Sequence, residues 1–232
     1  MAAPSGSYEF AALESARNYR SALIREFRPH LRGRVLEVGG GVGQFTGLLL
    51  GEAAIGHLQV VEPEAGFAAR LRQNFPGLDL VEGTIAAVPA AEAFDAMVSV
   101  NVLEHIQEDE RELAAYRERL ATRRGALCLF VPARPEIFGS IDGDFGHQRR
   151  YRRPELRDKL RRAGFRVERL DYFNFAGYFA WWWNFRLLRR RAFSPSALRL
   201  FDRFLFPAQH ALESRLLRPP IGQSLIAVAT AG

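Results

Sequence analysis

Between Arg34 and Phe45 the chain reads RVLEVGGGVGQF, a short β-branched run that breaks into glycines and then restarts with helical character in FTGLLLGEAA. Few features narrow a fold more. Glycines at the end of a strand let the backbone turn tightly, and the helix that follows carries the chain back to begin a parallel strand. The same order recurs downstream. HLQVVEP reads as a second strand, EAGFAARLRQNF as a helix ended by Pro76, and LDLVEG as a third strand. FDAMVSVNV is a fourth strand, DERELAAYRERLATRRG a helix stopped by Gly125, and ALCLFVP a fifth strand. Such alternation predicts an α/β architecture: a doubly wound parallel sheet covered by helices on both faces.

Around this frame lie three further pieces. From Tyr8 to His30 the apolar side chains Phe10, Leu13, Tyr19, Leu23 and Phe27 recur at spacings compatible with one or two amphipathic helices. PELRDKLRRAG has Pro154 near a helix start and Gly164 at its end, FRVERLDYF is a sixth strand, and GQSLIAVAT is the last. Asn174 to Ile221 is left as an aromatic, basic insertion with two helices. With 232 residues the expectation is one domain, divided into a helical cap (1–33), a core (34–173), a helical insertion or lid (174–221) and a final strand (222–232).

The lone Cys128 excludes an internal disulfide and, within LCLFV, argues for a buried thiol in a reducing compartment. MAAPSGSYEF lacks the features of a secretory signal, and no run reaches the roughly 18–20 apolar residues of a spanning helix, so a cytoplasmic protein is expected. Charge is uneven, with a net −6 over residues 1–146 and +12 over 147–232. A basic half suits nucleic acid, an anionic membrane surface, an acidic small molecule or plain solvent. Nucleic acid is disfavoured, because no nucleic-acid module signature is present.

The chemistry concentrates at Glu37, Gly39, Gly41 and Gly43, an E-x-G-x-G-x-G spacing straight after a strand, where a nucleotide-like ligand can approach the backbone. A purely structural turn also needs glycine. A nicotinamide site requires G-x-G-x-x-G, and Thr46 occupies the third glycine's place after Gly41 and Gly43. Glu62, at the end of the second strand, is placed to accept hydrogen bonds from ribose hydroxyls.

Four stretches in order, EVGGGVG, VVEPEAG, FDAMVSVNVLEHI and GALCLFVP, resemble the motifs of class I S-adenosylmethionine-dependent methyltransferases of the small-molecule type. The resemblance implies a Rossmann-like sheet of seven strands, the last antiparallel. It also implies S-adenosylmethionine as cofactor, S-adenosylhomocysteine as product, and no metal. By resemblance Glu37, Gly39, Gly41 and Gly43 shape the methionine side of the pocket, Glu62 and the adjoining Pro63 hold the ribose, and Asn101 lies beside the sulfonium. Many relatives carry Asp after the third strand to bind adenine; this chain has Gly83 and Thr84, so adenine recognition is expected to use backbone groups or the Thr84 hydroxyl.

A methyl acceptor with a hydroxyl or carbon nucleophile needs a base, and His147, Tyr151 and His105 are the candidates, each weighed against a structural role. In FGHQRRYRR, Arg149 and Arg150 could clamp a phosphate or carboxylate, or merely cap the next helix and meet surface acids. The insertion brings Trp182 among its aromatics, followed by Arg186, Arg189, Arg190 and Arg191. Core packing, a lid over a greasy substrate and peripheral membrane contact through residues 172–191 are the readings. The expected activity is methyl transfer to a small, acidic or lipophilic acceptor of glycan, lipid or secondary metabolism. The alternative is a non-catalytic subunit that binds a partner through the aromatic insertion.

Overall fold

The computed structural model describes residues 16–190, 194–215 and 219–232, so Phe10 and Leu13 of the helical preface and Arg191 of the basic cluster lie outside the described residues. Seven strands form one sheet: β1 (Gly33–Val38), β2 (Ile55–Glu62), β3 (Asp79–Glu82), β4 (Ala96–Val100), β5 (Ala126–Pro132), β6 (Phe165–Phe173) and β7 (Ser224–Ala231). Their order is β3-β2-β1-β4-β5-β7-β6. β1 to β5 pair in parallel, and β7 runs antiparallel to both neighbours. This is the expected Rossmann-like methyltransferase architecture, with its last strand reversed.

The helices are α1 (Arg17–Phe27), α2 (Thr46–Leu50), α3 (Ala65–Asn74), α4 (Asp109–Ala121), α5 (Ser140–Asp144), α6 (Arg153–Arg162), α7 (Phe175–Trp181), α8 (Pro195–Leu200) and α9 (Phe206–Arg215). The strands' period of two sorts them into two cores. On one face Leu36, Met97, Leu127, Leu129 and Ala227 pack with Leu113, Tyr116 and Leu120 of α4 and Leu156 and Leu160 of α6. On the other, Val35, Val98, Cys128, Phe130 and Val228 pack with Leu23 and Phe27 of α1, Leu49 of α2 and Leu71 of α3. Cys128 is fully buried, and burial pushes its thiol well above the usual range, as suits an inert core residue.

The insertion is helical, with a wide-turn π segment after α7 (Trp182–Leu187) and another between α8 and α9 (Phe201–Leu205). It is tied to α1 by Asp202, whose carboxylate accepts the first-turn N–H groups of Asn18 (3.0 Å) and Tyr19 (2.9 Å). A carboxylate there satisfies donors that a helix start leaves unpaired and favours the helix dipole. α1 and the insertion thereby join on the face of the sheet that carries Phe130 and Phe173, where Phe206 packs with Leu23 and Phe27 in one core.

Candidate functional site

Two cavities open at the carboxyl edge of β4 and β5. The first, about 450 Å³, is lined by the glycine turn after β1, by Glu62 and Pro63 at the end of β2, by Gly83 and Thr84 after β3, and by Asn101 and His105 after β4. Gly39, Gly41 and Gly43 all have positive φ (78°, 52° and 88°), a region in which other residues are strained. A Cβ on Gly39 would lie 2.4 Å from Val102 Cγ2, so close approach of two loops also demands glycine there.

Of the glutamates that line this cavity, Glu37 and Glu62 lie in strands β1 and β2 and are buried. Glu62 accepts the Gly41 N–H (2.7 Å) and the Glu64 N–H (2.9 Å), while burial raises its pKa above the ordinary range. Glu37 is buried, accepts the Thr46 hydroxyl (2.7 Å), and is pushed up to about 8 by its desolvation.

The second cavity, about 360 Å³, is lined by Phe130 and Pro132 of β5, by Phe145, His147 and Arg150, by Tyr19 of α1, and by insertion residues including Trp181, Phe185, Arg190, Leu198 and Phe201. Its walls are mostly apolar. Asn101 and Phe145 line both cavities, so the two adjoin. Asn101 sits at φ 53°, a left-handed position that Asn tolerates better than most residues.

Beneath the second cavity Asp142, fully buried in α5, collects donors. It accepts the Gly139 N–H (2.8 Å), a ring nitrogen of His147 (Nδ1, 3.0 Å), Arg150 Nε (2.8 Å) and the Trp181 indole (3.4 Å). The Arg150 guanidinium stacks over Trp181, 4.5 Å from the ring centre. Burial opposes ionisation of Asp142, but His147, Arg150 and the Gly139 N–H together hold its carboxyl below the usual range.

The candidates named from sequence therefore separate. Glu37, Gly39, Gly41, Glu62, Pro63, Gly83, Thr84 and Asn101 line the first cavity, joined there by His105, while His147 and Arg150 line the second; Gly43 lines neither, and a Cβ there would meet the Phe75 ring at 2.5 Å. Tyr151 lines neither. It is fully buried, donates to Asp109 Oδ2 (2.9 Å) and the Leu103 carbonyl (3.2 Å), and burial beside Asp109 holds its proton on. Arg149 turns away too, to Asp109 (2.9 Å) and the Gln107 carbonyl. Trp182 is 41% exposed and lines neither of these cavities; its neighbour Trp181 takes the inward position. Sequence reasoning missed the buried acids Asp142, Glu104 and Asp202, although Glu104 lies within FDAMVSVNVLEHI beside His105 and Asp142 stands only five residues before His147 in DGDFGHQRRY.

A family model described as a methyltransferase domain matches residues 12–170. No curated protein matches the chain significantly. Among solved structures the chain is similar to an S-adenosylmethionine-dependent methyltransferase from Archaeoglobus fulgidus (17% identity, 97% of this chain and 100% of that one, TM-score 0.60). It is also similar to one from Mesorhizobium loti (16%, 90% and 96%, 0.59) and to a TehB-like S-adenosylmethionine-dependent methyltransferase from Corynebacterium glutamicum (20%, 91% and 87%, 0.54). At these identities the structural likenesses establish the fold.

Proposed function

The chain belongs to the methyltransferase domain family and is an S-adenosylmethionine-dependent methyltransferase, and from that premise we propose that its first cavity holds the cofactor and its second the methyl acceptor. The observation that carries this reading is the junction: two cavities of small-molecule size meet at Asn101 and Phe145. The donor set of the first cavity fits a nucleoside that bears an amino acid. Glu62 would accept the ribose hydroxyls, Glu37 would face the cofactor's ammonium, and backbone groups at Gly83 and Thr84 would meet the adenine. When bound, S-adenosylmethionine supplies an activated methyl on sulfur, open to in-line attack. Positioning is then the chain's main task, since a correctly oriented pair reacts far faster than a free one.

The acceptor cavity points to a largely apolar molecule with one anionic group. Phe130, Phe145, Trp181, Phe185 and Leu198 offer the apolar walls, and Arg190, exposed at the mouth, offers the charge. The test is formation of S-adenosylhomocysteine with a panel of phenolic acids and medium-chain fatty acids. Ala197 lies exposed at the cavity's mouth. Ala197→Trp is expected to lower turnover at least about tenfold while leaving S-adenosylmethionine affinity unchanged, because a misplaced acceptor loses rate rather than cofactor. Equal loss of both would reject the division of labour between the cavities.

The insertion's outer surface supports acceptor capture at an anionic lipid surface. Phe179, Trp182, Trp183, Leu187, Leu188, Leu200, Phe204 and Leu205 are exposed, beside exposed Arg186, Arg189, Arg199 and Arg203, on the elements that frame the acceptor cavity. Among the described residues no helix is long and apolar enough to cross a membrane. Vesicles containing phosphatidylglycerol should sediment the protein, vesicles of phosphatidylcholine alone should do so weakly, and Trp183→Ser with Phe204→Ser should weaken the interaction about tenfold or more.

Glu37 makes cofactor binding pH-dependent. Its folded pKa of about 8 lies above the ordinary carboxylate value, so the free protein holds the proton at neutral pH. An ammonium beside it favours the ionised form, so binding releases a proton. S-adenosylmethionine affinity should therefore rise with pH, by up to about tenfold per unit, and level off above the folded pKa. Stability of the cofactor-free protein should change in the opposite sense, falling as pH rises from the ordinary carboxylate range to about 8. Calorimetry in buffers of different ionisation enthalpy reads the proton directly.

A further inference from the structure

We propose that Glu104, His105 and His147 bind one divalent first-row transition-metal ion at the junction of the two cavities, and that this ion activates an oxygen nucleophile of the acceptor. Each of the three offers one ligand atom, and these atoms all lie within 4.8 Å of one another. His147 Nε2 stands 3.9 Å from Glu104 Oε1, beyond hydrogen-bonding range. Two ligands each about 2.1 Å from a shared ion are separated by roughly 3–4.2 Å, depending on the angle between them. The imidazole rings of His105 and His147 meet edge to face with centres 4.9 Å apart.

The surroundings are those of a metal ligand set. His147 Nδ1 is held by the Asp142 carboxylate (3.0 Å), an arrangement that fixes the ring and directs Nε2 toward the trio. A ring nitrogen of His105 hydrogen-bonds the backbone of Gly146, which orients that ring as well. The two loops that supply the ligands are fastened together: the Gln148 N–H donates to the Glu104 carbonyl (2.8 Å) and Tyr151 to the Leu103 carbonyl. Tyr151 and Asp142 are thus positioning residues. Two imidazoles and one carboxylate favour zinc, manganese, iron or cobalt over magnesium or calcium, which prefer oxygen alone.

Three protein ligands leave at least one position open on a four- to six-coordinate ion. His105 lines the cofactor cavity and His147 the acceptor cavity, so an acceptor oxygen entering at the junction could complete the coordination. The inference rests on the assignment of the two cavities above. Bound to the ion, the acceptor's O–H becomes more acidic and loses its proton to water. The oxygen lone pair then forms the O–C bond to the methyl carbon, and the C–S bonding pair returns to sulfur, leaving S-adenosylhomocysteine. Nothing is oxidised or reduced. The reading therefore names an O-methylation.

The experiment uses chelator-treated full-length protein and cobalt(II) alone, followed by calorimetry and visible absorption, with manganese(II) and electron spin echo spectroscopy as a second probe. One equivalent of cobalt, a ligand-field band, and nitrogen couplings from imidazole on manganese are expected. Glu104→Gln and His147→Gln should each weaken cobalt binding about a hundredfold or more. Both variants should keep S-adenosylmethionine affinity and the wild-type circular dichroism spectrum. Absence of imidazole couplings in the wild type, or cobalt binding that survives both substitutions, would overturn the site. Metal binding as described in a protein that fails to bind S-adenosylmethionine would uphold the metal site and reject the cavity assignment instead.

Discussion

Asp142→Ala is expected to cost about 3–5 kcal/mol of stability, because it leaves a buried guanidinium without its counter-charge. Arg150 is 3% exposed and its Nη2 lies 2.7 Å from Asp142 Oδ1. Its remaining hydrogen-bond partners are backbone carbonyls, Ala133 at 3.1 Å and Gln223 at 3.4 Å, which cannot neutralise it. For a chain of this size the loss corresponds to a fall in Tm of about 10 °C. Calorimetric melting checks it. Asp142→Leu combined with Arg150→Met should recover much of the loss, since removing both charges removes the desolvation cost as well. If the single and double variants melt alike, the charge pair is not what holds this region. Because the Asp142 carboxyl lies below its ordinary range when folded, its contribution is present at neutral pH and is lost as pH falls through the acidic range.

Gly39→Val is expected to reduce S-adenosylmethionine affinity about a hundredfold or more. The substitution meets two independent obstacles: φ at this position is 78°, where a β-branched residue is strongly strained, and the new Cβ would fall 2.4 Å from Val102 Cγ2. Val102 follows Asn101 on the loop that closes the other side of the cavity, so relief of the clash widens the space between the two loops. Gly77 provides the contrast. It too has positive φ (85°), but a Cβ there meets nothing within 4 Å. Gly77→Ala should lower stability modestly and leave cofactor affinity intact. Isothermal titration separates backbone strain, common to both variants, from the collision of loops, present only in the first.

Much of the fold was legible because it is local. The β-branched runs, the glycines at their ends and the proline and glycine stops mark elements within a few residues, and the reversed last strand followed from family resemblance. The lining of the first cavity was legible for the same reason: Glu37, Gly39, Gly41 and Glu62 lie at strand ends, where topology alone brings them to one edge. The lining of the second cavity was not. Arg149, Arg150 and Tyr151 are consecutive, yet only Arg150 reaches a cavity, because the loop carries no period from which orientation can be read. In the insertion three consecutive tryptophans carry no period either, and Trp181 buries where Trp182 and Trp183 do not. Glu104 and Asp142 escaped notice since nothing in the local sequence marks either acid as buried, although Glu104 adjoins His105 and Asp142 stands five residues before His147. The expectation of no metal followed from family resemblance, which is silent about the geometry of Glu104, His105 and His147.

The most direct test of the central claim is a calorimetric titration of the purified protein with S-adenosylmethionine, S-adenosylhomocysteine and NAD, repeated on Glu62→Ala. Micromolar binding of both sulfur nucleosides, binding of NAD at least about a hundredfold weaker, and loss of affinity in Glu62→Ala are the predicted results. Failure to bind S-adenosylmethionine, or binding indifferent to the Glu62 carboxylate, would contradict the assignment of the first cavity.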